Sequence, residues 1–282
     1  MARQFPQGDV GVNTTEYARA PFYIGYHSEA PASIARRTRR MALLLVALAG
    51  AIAFAVALSQ RPFDKSRFEF GAVNTFEGIL VTDPYPRLIV NSAHGAASVD
   101  DTGDWLLVAP GKHGADAIVQ GFSGKHVLLE GSRIVRAGGR AIEIVPGSVR
   151  SSEPQPAAPG NHEEFGPVRL SGEIVDSKCY YGVMNPGAGK VHRDCAVRCL
   201  SGGIPPSFAV TRLISGPPDS ATVVRPGTIL LVEGVSDAAG RTAILAHAGE
   251  PVTVEGTLLR TGGTLFLKLD AGSINQTVRS KE

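Results

Sequence analysis

The sequence predicts a mainly β protein, with one N-terminal transmembrane helix followed by two tandem small OB-like β-barrel domains. Three observations carry that expectation. Residues 41–59 contain no charge. Short β-branched runs, punctuated by Gly and Pro, fill most of the remainder. Those runs recur in the same order in two halves of the chain.

Composition frames the elements. The 282 residues are 43% apolar, with 33 Gly, 19 Pro and a single Trp. That is too apolar for wholesale disorder, and three Cys are too few for a disulfide-dense scaffold. There are 28 basic and 26 acidic residues, a net charge of +2. Residues 1–40 hold Arg3, Arg19, Arg36, Arg37, Arg39 and Arg40 against Asp9, Glu16 and Glu29, a net of +3, so everything after Ser59 sums to −1. The basicity therefore belongs to a tail. A nucleic-acid partner is not expected.

That tail, 1–40, lacks an apolar period and reads as a largely disordered cytoplasmic arm. The run MALLLVALAGAIAFAVALS (41–59) would rise about 28 Å as a helix, one hydrocarbon core. Four Arg within 36–40 orient its N-terminus to the cytoplasm by the positive-inside rule, which places the bulk of the chain in the periplasm. Ala55-Val56-Ala57 resembles a signal-peptidase site, but forty preceding residues far exceed a usual n-region, so an uncleaved signal anchor is expected. The predicted location is a single-pass bacterial inner-membrane protein. A juxtamembrane linker (60–72) follows.

The first OB-like domain is expected over 73–149, with strands near 76–82, 86–91, 104–109, 125–135 and 140–145 and a short helix or turn at 114–122. A Ser/Pro/Gly-bearing linker occupies 150–166. The second domain spans 167–275, and a disordered tail covers 276–282. The halves are related segment by segment. FEGILV (76–81) resembles LSGEIV (170–175), and WLLVAPGKHGADA (105–117) resembles ILLVEGVSDAAGRTA (229–243). Glu-Gly (130–131 and 255–256) and a later Gly-Gly turn (138–139 and 262–263) also repeat. Five short strands with a break after the third suit a small closed barrel, a sandwich of the same strand count being the alternative.

The offset between the halves grows from 94 residues at Gly78/Gly172 by about thirty before the third strand. The inserted stretch, 175–206, reads VDSKCYYGVMNPGAGKVHRDCAVRCLSGGIPP and contains all three cysteines, Cys179, Cys195 and Cys199, with Met184 and His192. Three readings of this box stand open. A disulfide would stabilise it by roughly 2–4 kcal/mol in an oxidising compartment. A metal site would use Cys179, His192, Cys195, Cys199 and Met184, a thiolate, imidazole and thioether set suited to copper or zinc. His192, Cys195 and Cys199 fall at i, i+3 and i+7 on one helical face. A reactive thiol, Cys179 or Cys195, is the third reading. No hydrolase elbow or paired-carboxylate pattern accompanies it, and the remaining histidines read as ordinary side chains.

The run VDSKCYYGVM-PG-HRDCA-RC-GGIPP resembles a box found in uncharacterised bacterial membrane-anchored or secreted proteins. That resemblance implies that these residues form a site and carries over no activity. A looser likeness, to singly anchored periplasmic OB-fold haem chaperones, is architectural, since their His-x-x-x-Tyr element is missing here. The expected role is a periplasmic accessory protein or subunit of a membrane redox or respiratory assembly, whose box binds a soft metal or presents redox-active thiols. The alternative is an interaction module, its insertion stapled by a disulfide, that docks a membrane-protein partner.

Overall fold

A computed structural model describes residues 30–59, 66–90, 102–153 and 162–277. The predicted arm up to residue 29, residues 60–65 of the juxtamembrane linker and residues 278–282 lie outside those residues. The chain divides into two compact units, Met1–Phe63 and Asp64–Glu282.

In the first unit the described residues form one helix, α1 (Ala32–Ser59), none of whose residues is buried. It starts nine residues before the uncharged run and takes the four-Arg cluster into its first turns. At 1.5 Å per residue it is about 42 Å long, so its apolar part alone suffices to cross a bilayer.

The second unit opens with β1 (Arg67–Phe68), β2 (Asn74–Val81), β3 (Arg87–Val90), β4 (Gly103–Val108), β5 (His126–Arg136), β6 (Gly139–Ile144) and β7 (Arg150–Ser151). Pairing runs β5-β2-β3-β4-β6, and β6 returns to β5, which closes a five-stranded barrel. Every pair in the circuit is antiparallel except β4–β6. That order, with parallel pairing between the third and fifth strands, is the OB arrangement expected from the sequence. Alternation explains the core: Phe76 and Leu80 of β2, Val127 and Leu129 of β5, and Trp105 and Leu107 of β4 point inward. The segment 114–122 forms a single turn rather than a helix, with Val119 N–H on the Ala115 carbonyl (3.1 Å), and it contributes Ala115 and Val119 to the same core. Closure needs glycine where strands cross most tightly. A Cβ on Gly78 would lie 2.3 Å from the Ile89 carbonyl oxygen, and one on Gly131 2.4 Å from Ile142 Cγ2.

The chain continues with β8 (His162–Asp176), α2 (Arg193–Ser201), β9 (Pro206–Ser215), α3 (Ser220–Val223), β10 (Ile229–Glu233), α4 (Ala238–His247), β11 (Pro251–Thr261), β12 (Thr264–Leu269) and β13 (Asn275–Gln276). These strands form a second sheet, ordered β12-β10-β9-β8-β11-β13, with a further β11–β12 pairing. The α4 segment, matched in sequence to the 114–122 turn, is a full helix. The Asp237 carboxylate caps it, accepting the Gly240 N–H at 2.7 Å. Residues 162–164 extend β8 and pair with β11, and β7 pairs with β5. Strand therefore occupies both ends of the stretch 150–166.

The sheets share a third apolar cluster. It joins Leu106, Val108, Ile134 and Ala141 of the first to Cys179, Tyr181, Cys199, Leu231, Leu259 and Phe266 beyond it. A buried ion pair reinforces it. Arg87 Nη1 meets Asp104 Oδ2 at 3.2 Å, the same oxygen accepts the Thr264 hydroxyl at 3.0 Å, and the guanidinium lies 4.9 Å from the Phe266 ring centroid.

Candidate metal and thiol centre

Strand β8 delivers the first half of the box. It ends at Asp176, and the chain then tightens into a π turn, Cys179–Val183, that bears Cys179. The other half arrives on α2. His192 is its N-cap residue, and its carbonyl accepts the Ala196 N–H at 2.9 Å. The spacing 192, 195, 199 then sets His192, Cys195 and Cys199 on one face of the helix, turned toward the π turn.

Asp176 organises both halves. It is fully buried, and each carboxylate oxygen has a partner: Oδ1 accepts the Cys179 N–H at 2.8 Å, and Oδ2 lies 3.0 Å from His192 Nε2. A carboxylate held against one imidazole nitrogen is the contact that orients a metal-binding histidine.

The three cysteines are free. Cys179 Sγ lies 3.8 Å from Cys199 Sγ and 4.0 Å from Cys195 Sγ. A disulfide requires about 2.05 Å, so the staple expected as one reading is absent among the described residues. The physical reason is convergence: the sulfurs approach a common point from two elements instead of pairing. Tetrahedral sulfur ligands at about 2.3 Å from a metal would be separated by about 3.8 Å, which the observed spacing meets. Cys179, His192 and Cys195 form one group whose ligand atoms all lie within 4.8 Å of one another, and Asp176, Cys179 and Cys199 form another.

Of the five expected ligands, Cys179, His192, Cys195 and Cys199 fall in these two groups, which share Cys179. Met184 follows the π turn with its side chain 45% exposed and its N–H on the Cys179 carbonyl at 3.2 Å. His126 Nδ1 is engaged by Ser152 at 2.6 Å, and His162 by Thr261 at 3.2 Å. His94 lies outside the described residues.

The first barrel completes the centre, through residues that motif reading missed. Lys112, in the turn after β4, places Nζ 2.8 Å from Cys195 Sγ and 3.7 Å from Cys199 Sγ. Lys178 reaches the opposite way. Its ammonium is buried, donates to the carbonyls of Ala109 (2.7 Å) and Gly111 (2.8 Å), and pairs with Glu143. Arg136 donates to the Tyr180 carbonyl at 2.6 Å and stacks 4.0 Å from its ring centroid. The fit is close enough to require glycine at 202, where a Cβ would lie 1.8 Å from the Lys112 carbonyl oxygen. Asp176 and Lys178 precede Cys179 in VDSKC, so proximity in sequence is a signal that could have found them. Lys112 carries no local signal, because nothing in its own segment refers to the box.

These contacts divide charge unevenly among the sulfurs. The Cys179 thiol donates to Cys199, and that bond, with burial and the nearby Asp176 carboxylate, pushes the Cys179 pKa far up. Accepting it brings Cys199 down to about 7, against the opposing effect of burial and with help from the Lys112 ammonium. Lys112 itself is raised, chiefly by its hydrogen bond to Cys195. A centre so arranged can hold a thiophilic cation or do thiol chemistry.

Comparison with protein-family models, with curated proteins and with solved structures finds no match to this chain.

Proposed function

We propose that this chain is a membrane-anchored, extracytoplasmic accessory protein whose second half binds one soft or borderline metal ion, zinc or Cu(I), through Cys179, His192, Cys195 and Cys199. One observation carries the reading. Two unbonded sulfurs, Cys195 and Cys199, lie 4.0 and 3.8 Å from a third, Cys179, beside a histidine whose Nε2 is held by a buried carboxylate. Met184 joins the set if the ion is Cu(I), where a thioether is a favoured ligand. The apolar length of α1 and the Arg cluster at its start support anchoring with the N-terminus in the cytoplasm. A membrane redox complex is the partner class that such a tethered metal site suits.

The reading includes two OB-like domains made by tandem duplication. Both sheets have the same pairing circuit, with parallel pairs at β4–β6 and β10–β12. The tight-crossing glycines of the first barrel, Gly78 and Gly131, also recur as Gly172 and Gly256. A Cβ there would lie 2.3 Å from the Ala209 and 2.4 Å from the Lys268 carbonyl oxygen.

Elemental analysis of the full chain, purified reduced in detergent, tests the metal. The expected result is one zinc or copper per chain, lost in Cys195→Ser and kept in His126→Ala. Purified protein with no metal, three titratable thiols and no uptake of added Zn²⁺ or Cu(I) would refute it.

A further inference from the structure

The three sulfurs differ in access and in neighbours. Cys179 and Cys199 are 4% and 1% exposed, whereas Cys195 is half-buried. Cys195 also carries the closest Lys112 contact, 2.8 Å. Of the three sulfurs, Cys195 is therefore the one an oxidant reaches from solvent. Cys179 is the hub of the cluster, within 4.0 Å of both other sulfurs and on a different element from either. Cys195 and Cys199 stand one turn apart on α2, where Cβ atoms are held about 5–6 Å apart. A disulfide needs about 3.5–4.5 Å between them. Geometry therefore leaves Cys179 as the resolving partner for chemistry that starts at Cys195.

We infer that Cys195 is an oxidant-reactive thiol resolved by Cys179, so that a hydroperoxide converts the free-thiol centre into a Cys179–Cys195 disulfide. In the first step the Cys195 sulfur attacks the terminal oxygen of the hydroperoxide. The S–O bond forms as O–O breaks, the sulfur loses two electrons to become a sulfenic acid, and the peroxide leaves as an alcohol (water, from hydrogen peroxide) carrying the thiol proton. In the second step the Cys179 sulfur attacks the Cys195 sulfur. The S–S bond forms, S–O breaks, and the hydroxyl departs with the Cys179 proton as water. The Lys112 ammonium steadies negative charge at Cys195 in the first step and on the departing oxygen in the second. Cys179 lies in a short π turn, and side-chain rotation there brings the sulfurs from 4.0 Å to bonding distance.

The disulfide removes two of three thiolates from the ligand set, so oxidation expels a bound ion, and a bound ion in turn shields the sulfurs. That consequence rests on the metal reading, whereas the disulfide itself requires only the free thiols.

The test uses reduced full chain in detergent, metal-free and Zn²⁺-loaded, exposed to stoichiometric hydrogen peroxide, alkylated and mapped by mass spectrometry. Two of three thiols disappear and a Cys179–Cys195 linked peptide pair forms. Cys199→Ser still forms it, and Cys179→Ser accumulates a sulfenic acid at Cys195 that a cyclic 1,3-diketone captures. Lys112→Met, which removes the cation 2.8 Å from Cys195 Sγ, slows the loss about tenfold. Persistence of three thiols, a Cys195–Cys199 bridge or a Cys195–Lys112 adduct would each overturn the assignment. In the loaded protein, zinc appears in a chromophoric chelator as thiols vanish. Disulfide formation in a protein that never takes up zinc sustains this inference and removes the metal reading, while tightly bound zinc with unreactive thiols in the metal-free form does the reverse.

Discussion

Replacing Lys178 by Met tests how the cysteine box is held. The ammonium is 3% exposed, its partner Glu143 is 18% exposed, and the carbonyls of Ala109 and Gly111 accept its other protons. Methionine fills similar volume but leaves a mostly buried carboxylate without its cation and two carbonyls without a donor. Removing one partner of a buried pair costs about 3–5 kcal/mol. At about 2–4 °C per kcal/mol for a unit of this size, the midpoint should fall by about 6–20 °C. The sole tryptophan, Trp105, lies in the first barrel core at 1% exposure, so its fluorescence reports melting of the full chain in detergent. Adding Glu143→Leu should restore the part of the loss that comes from the stranded carboxylate, because an ion pair replaced on both sides by apolar groups is close to neutral, while the two carbonyls stay without their donor. A shift below about 2 °C, or a double variant no better than the single one, would refute the assignment of Lys178 as the clamp.

Asp104→Leu strands the Arg87 guanidinium, whose side chain is 4% exposed, and should cost about 3–5 kcal/mol, read from a urea midpoint at unchanged slope. Gly202→Ala forces a Cβ against the Lys112 carbonyl; a loss of about 1–3 kcal/mol is expected, read from the same urea midpoint. Tyr85 donates to the Val232 carbonyl at 2.5 Å, and burial raises its pKa above that of an ordinary phenol. Tyr85→Phe should cost about 1 kcal/mol at neutral pH. Above about pH 10 the unfolded phenol ionises while the folded one stays protonated, so wild-type stability declines and the gap between the proteins narrows. Denaturation at pH 7 and at pH 10.5 (about half a unit above the free phenol) measures it.

Much of the first barrel was legible because its rules are local. Phe76, Gly78 and Leu80 recur at a period of two along β2, and the Gly-bearing turns mark the ends of β4, β5 and β6, so observed strands fall within two or three residues of those expected. The box was legible for a similar reason: its chemistry is concentrated in one inserted run, and helical spacing aligned His192, Cys195 and Cys199. Separation in sequence hid the rest. Lys112 reaches the sulfurs from a turn more than eighty residues before Cys195, and no periodicity encodes that approach. The cluster joining Leu106 and Ile134 to Leu231 and Phe266 was hidden too, since each residue reads simply as an inward strand position. The free state of the thiols also required geometry, because the sequence left a bridge, a metal site and a reactive thiol all open.

Lys112 and Lys178 cross in opposite directions between the barrel and the box. The insertion is therefore not a cassette that could be cut out and grafted onto another barrel with its properties intact. A transplant would carry the ligands but leave behind the cation beside Cys195 and the carbonyls and carboxylate that receive Lys178. Whatever this centre does, its smallest working unit includes the half of the β unit that has no cysteine at all.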